Sequence, residues 1–290
     1  MKKVIKSFML VLFIGTMMSC NNKHRVFIAH TGEQKIFNMP YGKHKRHIMD
    51  IFSPKEIDEN KPAILIIHGG AWQFGRKEHI GQIQRYLLKE GFVSYSINYR
   101  LVSRKKGITY REQLDDVAHA VQQFKEFADK ANIPYRGLVV LGESAGGHLA
   151  LMYGYTYSDI VHKIIALSPP VDFYSEKYRA SFYYKLSHRT FEKVVGARYT
   201  ESSLEEFQKA SPIFVASAVP TLHFQGGRDI LVHQSQGLTL DSVLTEKQIP
   251  HQLVFMPKRG HTPRLLSKKF RETVLYPHIK TFLQKNKIKK

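Results

Sequence analysis

Several runs of this chain are apolar at every position. Ala63-Ile64-Leu65-Ile66-Ile67 is one, and Leu138-Val139-Val140-Leu141 and Ile164-Ile165-Ala166-Leu167 are two more. A strand with one face in water alternates apolar and polar residues. A run without that alternation therefore predicts a strand covered on both faces. Helical patterns lie between the runs. One spans 77–90 and closes at Gly91. The clearest spans 111–131, where Leu114, Val117, Ala118, Val121, Phe124 and Ala128 recur at three- and four-residue steps. Strands alternating with helices predict an α/β chain with a mostly parallel central sheet flanked by helices. In such sheets chemistry collects just beyond the carboxyl ends of the strands.

One strand end stands out. The run from Leu138 leads into Gly142-Glu143-Ser144-Ala145-Gly146-Gly147-His148, and a helix-like run from Leu149 follows. This is the layout of a sharp strand-to-helix turn that lifts a serine clear of the sheet. The positions two before and two after the serine must be small, since a side chain there would meet the adjoining strand or helix. The N–H of Ala145, at the helix start, is expected to face a developing oxyanion. Glu143 is assigned no chemical role.

A serine hydroxyl is a weak nucleophile at neutral pH. It needs a base, and the base needs a carboxylate to fix its tautomer. In this sheet class the chain order is serine, acid, histidine. Asp229, in Gly226-Gly227-Arg228-Asp229 beyond the strand Thr221–Gln225, is the expected acid, and Asp172 is its rival. Among the histidines after Asp229, His233 is too close in sequence to oppose the serine and His251 opens a strand. His261 follows a glycine beyond a strand end and is the expected base. The second half of an oxyanion hole is expected in His68-Gly69-Gly70-Ala71-Trp72, from the N–H groups of Gly70 or Ala71, with that of Trp72 as a further candidate. His68 is read as a brace for that turn. Trp72, the only tryptophan, is read as a wall of the substrate pocket. Residues 172–217 are aromatic-rich, carry a helical stretch around 203–210, and read as a lid or insertion. Residues 265–283 read as one last amphipathic helix.

The net charge is +20, spread over short clusters such as Lys43-His44-Lys45-Arg46 and Arg104-Lys105-Lys106. No basic helix is interleaved with aromatics, so no nucleic-acid partner is expected; the charge suits solubility or anionic surfaces. No metal or cofactor is expected. The single cysteine, Cys20, rules out a disulfide within one chain. It follows a basic start (Lys2, Lys3, Lys6) and an apolar run from Phe8 to Met18 that is too short to span a bilayer comfortably. Ser19-Cys20 resembles the lipobox of bacterial lipoproteins. The resemblance implies a signal peptide over 1–19, lipidation of Cys20, and a lipid-anchored place in the cell envelope, periplasmic or surface-facing. Residues 20–45 then read as a tether with an edge strand, 46–285 as the folded domain, and 286–290 as a basic tail.

Taken together, these stretches resemble the α/β-hydrolase superfamily. The similarity lies with its esterase/lipase branch, which includes hormone-sensitive-lipase-like esterases and bacterial feruloyl and acetyl-xylan esterases. The carriers are His68-Gly69-Gly70-Ala71-Trp72, Gly142 to Gly147, Asp229 and Gly260-His261. Ala71 departs from the third glycine of many relatives. The His-Gly-Gly-x-Trp form is similar to a small-lid branch that also holds kynurenine formamidases and carbohydrate esterases. The resemblance implies the α/β-hydrolase fold with a small lid and hydrolysis of a small-molecule or carbohydrate ester through an acyl-enzyme. A general short-chain carboxylesterase, an arylformamidase and a peptidase are alternatives within the class. A non-catalytic surface-anchored binding protein on a hydrolase scaffold is the alternative outside it.

Overall fold

The computed structural model describes residues 24–30, 32–180, 182–261 and 267–284. Cys20, the signal-like segment and the basic tail lie outside them. The strands are β1 (Arg25–Ile28), β2 (Gln34–Pro40), β3 (Ile48–Ser53), β4 (Ala63–Ile67), β5 (Ser94–Asn98), β6 (Leu138–Glu143), β7 (Val161–Leu167), β8 (Thr221–Gly226) and β9 (His251–Met256). They form one sheet in the order β1-β2-β3-β5-β4-β6-β7-β8-β9. From β5 to β9 every pairing is parallel, and β1, β2 and β3 extend the sheet in antiparallel fashion.

The alternation-free runs occupy the middle of this sheet because both of its faces are covered. Ala63, Leu65 and Ile67 of β4 belong to one core, with Val117 and Phe124 of α2 (Tyr110–Ala131) and Leu149 and Ala150 of α3 (Ala145–Thr156). Ile64 and Ile66 belong to the opposite core, with Ile83 and Leu87 of α1 (Gly81–Lys89) and Ile279 and Phe282 of a C-terminal helix (Tyr276–Gln284). β6 and β7 divide their residues in the same way. Each such aliphatic side chain taken fully from water is worth roughly 1.5–3 kcal/mol. α2 starts where Thr109 and Glu112 form a reciprocal capping box, and it stops where Asn132 takes a left-handed conformation (φ 52°).

The strand order positions the site. The chain leaves β4 toward β5 on one side, then crosses back to place β6 on the other. The connections from β4 and β6 thus diverge and leave a crevice at their carboxyl ends. His68 to Trp72 follow β4 there, and Ser144 follows β6.

Three segments differ from the sequence reading. Residues 20–45 contribute two strands, β1 and β2. The second was hidden by Asn38 and Pro40; Asn38 sits at a bulge with φ 56°, its N–H held by Asp50 Oδ1 at 2.8 Å. The insertion is more helical than one stretch around 203–210. It holds α4 (Glu176–Arg179), α5 (Phe182–Val195), α6 (Leu204–Lys209) and α7 (Pro212–Val215), with α8 (Gln234–Glu246) following β8. The last helix is not uniform from 265. Residues 262–266 lie outside the described residues, and α9 (Lys268–Phe270) runs through a π-helical turn (Arg271–Leu275) into α10 (Tyr276–Gln284). The Tyr276 N–H reaches back five residues to Arg271, and Pro277 has no N–H to continue an ordinary ladder.

Two glycines make the packing testable. A Cβ on Gly146 would lie 2.2 Å from the Ile67 carbonyl oxygen, which is backbone and cannot move aside. A Cβ on Gly81 would meet only the end of the Arg85 side chain, at 3.3 Å. Gly146→Ala is expected to destabilise by about 2 kcal/mol or more, whereas Gly81→Ala at a helix start is neutral or stabilising by up to about 1 kcal/mol. Denaturant titration of both variants checks this; equal midpoints would contradict the backbone clash.

Candidate active site

Ser144 has φ 54° and ψ −120°, a conformation costing of order 1–3 kcal/mol for a residue with a Cβ. Its neighbours show why it is held. A Cβ on Gly142 would lie 2.0 Å from the Gly146 carbonyl oxygen, so strand end and helix start nearly touch. The Ser144 N–H donates to Leu167 O at 2.8 Å, and its carbonyl accepts from the His148 N–H at 3.0 Å. The side chain is left half-buried at the head of α3.

His261 Nε2 stands 2.8 Å from Ser144 Oγ, and its Nδ1 stands 2.7 Å from Asp229 Oδ2. The carboxylate accepts the Nδ1–H, which leaves Nε2 as the acceptor for the serine proton. Asp229 is itself fixed: its Oδ1 accepts the N–H groups of Leu231 at 2.9 Å and Val232 at 2.8 Å. These three residues come from the ends of β6, β8 and β9. Asp172 does not join them. Its carboxylate accepts the N–H of Tyr174 at 3.1 Å and of Ser175 at 2.9 Å, together with the Ser175 hydroxyl, just ahead of α4. His233 caps α8 and stacks on Tyr183. His251 bonds Ile249 O and pairs with Asp241.

The turn after β4 carries three successive positive φ angles: Gly70 126°, Ala71 48° and Trp72 59°. Two of these residues have side chains, so the turn must be held from outside. The Trp72 carbonyl accepts from the Val102 N–H at 3.0 Å and from Gln113 Nε2 at 2.9 Å. Gln113 also donates to Arg100 O at 2.7 Å, and Arg100 is anchored on the buried Asp116, which pairs with His47 as well. Burial would raise the Asp116 pKa, but the bonds from His47 and Arg100 outweigh it and hold the carboxyl below its usual range. His68 braces the turn, as expected. It stacks on Tyr99 and donates Nδ1–H to Gly69 O, while Arg46 Nη2 faces its Nε2 at 3.3 Å. Among the described residues, no backbone carbonyl takes the N–H of Gly70, Ala71 or Ala145. The three N–H groups lie at the carboxyl ends of β4 and β6, on either side of the crevice.

Ser144 and His261 open into a cavity of about 560 Å³ walled by Trp72, Glu143, Tyr178, Tyr183 and Phe191, with exposed Phe74, Ile230 and Leu231 among its lining. Trp72 is nonetheless almost fully buried. Its indole packs edge-on against Phe173 and Phe191 of the insertion, so it is both wall and core. A serine bonded to a carboxylate-oriented imidazole, beside unoccupied backbone donors and an aromatic cavity, has the parts needed for acyl transfer.

The BD-FAE family model matches residues 49–244. The chain belongs to the BD-FAE family. That match contains the serine turn, the turn after β4 and Asp229, and stops before His261. The chain is similar to kynurenine formamidase of Salmo salar, 28% identical over 120 residues, covering 41% of this chain and 38% of the relative. It is also similar to Esterase LipC of Mycobacterium tuberculosis, 27% identical over 215 residues, covering 68% of this chain and 51% of the relative. The matches thus span about half or less of those relatives. Among solved structures, a truncated carbohydrate esterase from gut microbiota superposes with TM-score 0.70 at 22% identity, covering 87% of this chain and 96% of that one. Esterase B from Lactobacillus rhamnosis superposes with TM-score 0.69 at 18% identity, covering 86% and 85%. The fold of this BD-FAE member is the α/β-hydrolase fold.

Sequence reasoning missed the buried polar residues behind the site. The sequence assigns no role to Gln113 or Asp116, and His148 stands in it only as the end of the serine motif. The one signal was their spacing: Gln113 and Asp116 adjoin the apolar stripe and would share its face.

Burial holds three imidazoles neutral: His68 down to about 3, His148 to about 4 and His223 to about 3, from an ordinary value of 6.5. Their folded pKa values lie below the unfolded one, so the unfolded chain binds more protons as pH falls. The stabilisation is complete above about pH 6.5 and is lost progressively toward pH 3–4. Denaturant midpoints at pH 7.0 and 4.5 are expected to differ, the acidic one lower. His223→Leu, which removes a ring with no hydrogen-bond partner among the described residues, should shrink that difference. A midpoint independent of pH would contradict the assignment.

Proposed function

We propose that this BD-FAE member is a serine hydrolase of carboxylic esters. The observation that carries the reading is the continuous hydrogen-bond chain from Ser144 through His261 to Asp229 at the mouth of the aromatic cavity. Ser144 Oγ attacks the ester carbonyl while His261 Nε2 takes its proton. The N–H groups of Ala145 and of Gly70 or Ala71 hold the oxyanion. The imidazolium, stabilised by Asp229, then returns the proton to the departing alcohol, leaving an acyl group on Ser144. A water deprotonated by the same nitrogen attacks the acyl-enzyme and frees the acid. No step requires a metal or cofactor.

The substrate we propose is an acetyl or feruloyl ester on a carbohydrate. The cavity supports it with aromatic faces (Trp72, Tyr178, Tyr183, Phe191) beside hydroxyls (Ser187, Thr190), a mixture suited to a sugar or a phenolic ring. Likeness to an esterase and a carbohydrate esterase points the same way. We place the enzyme in the bacterial cell envelope on a lipid at Cys20, a reading supported by the basic and apolar residues ahead of it.

Turnover of p-nitrophenyl acetate, then of acetylated and feruloylated sugars and an aryl formamide, tests the reading. Ser144→Ala is expected to lose several powers of ten in kcat/KM and Asp229→Asn about 10⁴ in kcat. Asp172→Ala should instead keep turnover and lose about 1 kcal/mol of stability, because the turn ahead of α4 loses its acceptor. Wild-type turnover by Ser144→Ala would overturn the mechanism. Turnover of the formamide alone would replace the ester with an amide substrate. Cys20→Ser should free the full chain from membranes, and unchanged retention would refute the anchor.

A further inference from the structure

His148 lies on α3 one turn beyond Ser144, fully buried, and takes no part in the proton relay. Its two ring nitrogens are both engaged. Nδ1 stands 3.1 Å from the Trp72 indole Nε1, which can only donate, and Nε2 stands 2.8 Å from the Ala210 carbonyl oxygen, which can only accept. Only the neutral Nε2–H tautomer satisfies both. The Trp72 main chain follows two residues, Gly70 and Ala71, at positive φ and shares that conformation itself. Its carbonyl is tied to Val102 and Gln113. The indole is the other end of the residue, and among the described residues its N–H goes to His148. Ala210 follows α6 in the insertion. A single imidazole thus joins the serine helix, the turn after β4 and the insertion that walls the cavity.

We propose that His148 is a positioning residue: its Nδ1 fixes the Trp72 indole, and through it the Ala71–Trp72 turn, relative to Ser144. The inference rests on the serine-hydrolase reading above. It makes a prediction that plain packing does not. An asparagine at 148 keeps an oxygen where Nδ1 stands and so keeps the Trp72 bond, but it cannot reach Ala210. A phenylalanine keeps the ring volume and loses both bonds.

The test combines steady-state kinetics on p-nitrophenyl acetate with tryptophan emission, which reports on Trp72 alone because the chain has one tryptophan. His148→Phe is expected to lower kcat by about 100-fold with KM changed by less than about threefold, the pattern of a displaced donor. His148→Asn should recover most of that kcat and keep the wild-type emission maximum, while His148→Phe shifts it to shorter wavelength. In a Trp72→Phe background, His148→Phe should cost less than about threefold further, since the bond is already gone. Equal kcat for the Asn and Phe variants, or a full penalty in the Trp72→Phe background, would overturn the proposal. If His148→Phe does not fold, His148→Leu takes its place in the same comparison. Retained turnover by Ser144→Ala would instead bring down the serine reading; emission and the Asn-against-Phe comparison then decide on His148 separately.

Discussion

The contact between the first turn of α3 and the end of β4 is the constraint on which the rest depends. Gly146 lies so close to the Ile67 carbonyl that no side chain fits, and Gly142 lies as close to Gly146. This approach bends the chain hard at Ser144 and forces its φ to 54°. It also brings the start of α3 beside the turn after β4, so that the N–H of Ala145 and those of Gly70 and Ala71 come from two adjacent strand ends. The strain at Ser144, about 1–3 kcal/mol, is offset by the two cores that clamp β4 and β6 between helices.

The second requirement is a rigid turn after β4. Its left-handed residues, Ala71 and Trp72, are held by a set of buried and half-buried polar groups: Gln113 with Arg100 and Asp116, His68 with Arg46 and Tyr99, and His148 on the indole. Buried polar groups of this kind are expensive when unpaired and specific when paired. Burial keeps His68 and His148 neutral, and a neutral ring can donate at one nitrogen and accept at the other. Fixed donors aimed at a developing charge need no reorganisation during reaction, which is where electrostatic catalysis gains most.

Features dictated by local chemistry were legible in the sequence. The apolar runs around Leu65, Val140 and Ile165 marked the central strands because alternation vanishes when both faces are covered. The small residues around Ser144 marked the turn because backbone leaves no room. His261 could be chosen over His233 and His251 by its place after a strand end. Features set by tertiary contact were not legible. The helix α5 is hidden in an aromatic stretch whose Phe191 faces Trp72, a partner far away in the chain. β2 is interrupted by Asn38 and Pro40, and only the Asp50 contact shows why the bulge is tolerated. Gln113, Asp116 and His148 have polar side chains that belong inside because of what they bind; spacing puts the first two beside the apolar stripe but names no partner.

Covalent labelling of the nucleophile, with p-nitrophenolate as the leaving group, tests the central claim most directly. The purified protein would be treated with a p-nitrophenyl alkylphosphonate, which transfers to an activated serine, and the adduct located by peptide mass mapping. One phosphonyl group should appear, on the peptide that contains Ser144. It should form far more slowly in His261→Ala and not at all in Ser144→Ala. Labelling at another residue, or labelling of Ser144 at an equal rate without His261, would contradict the account.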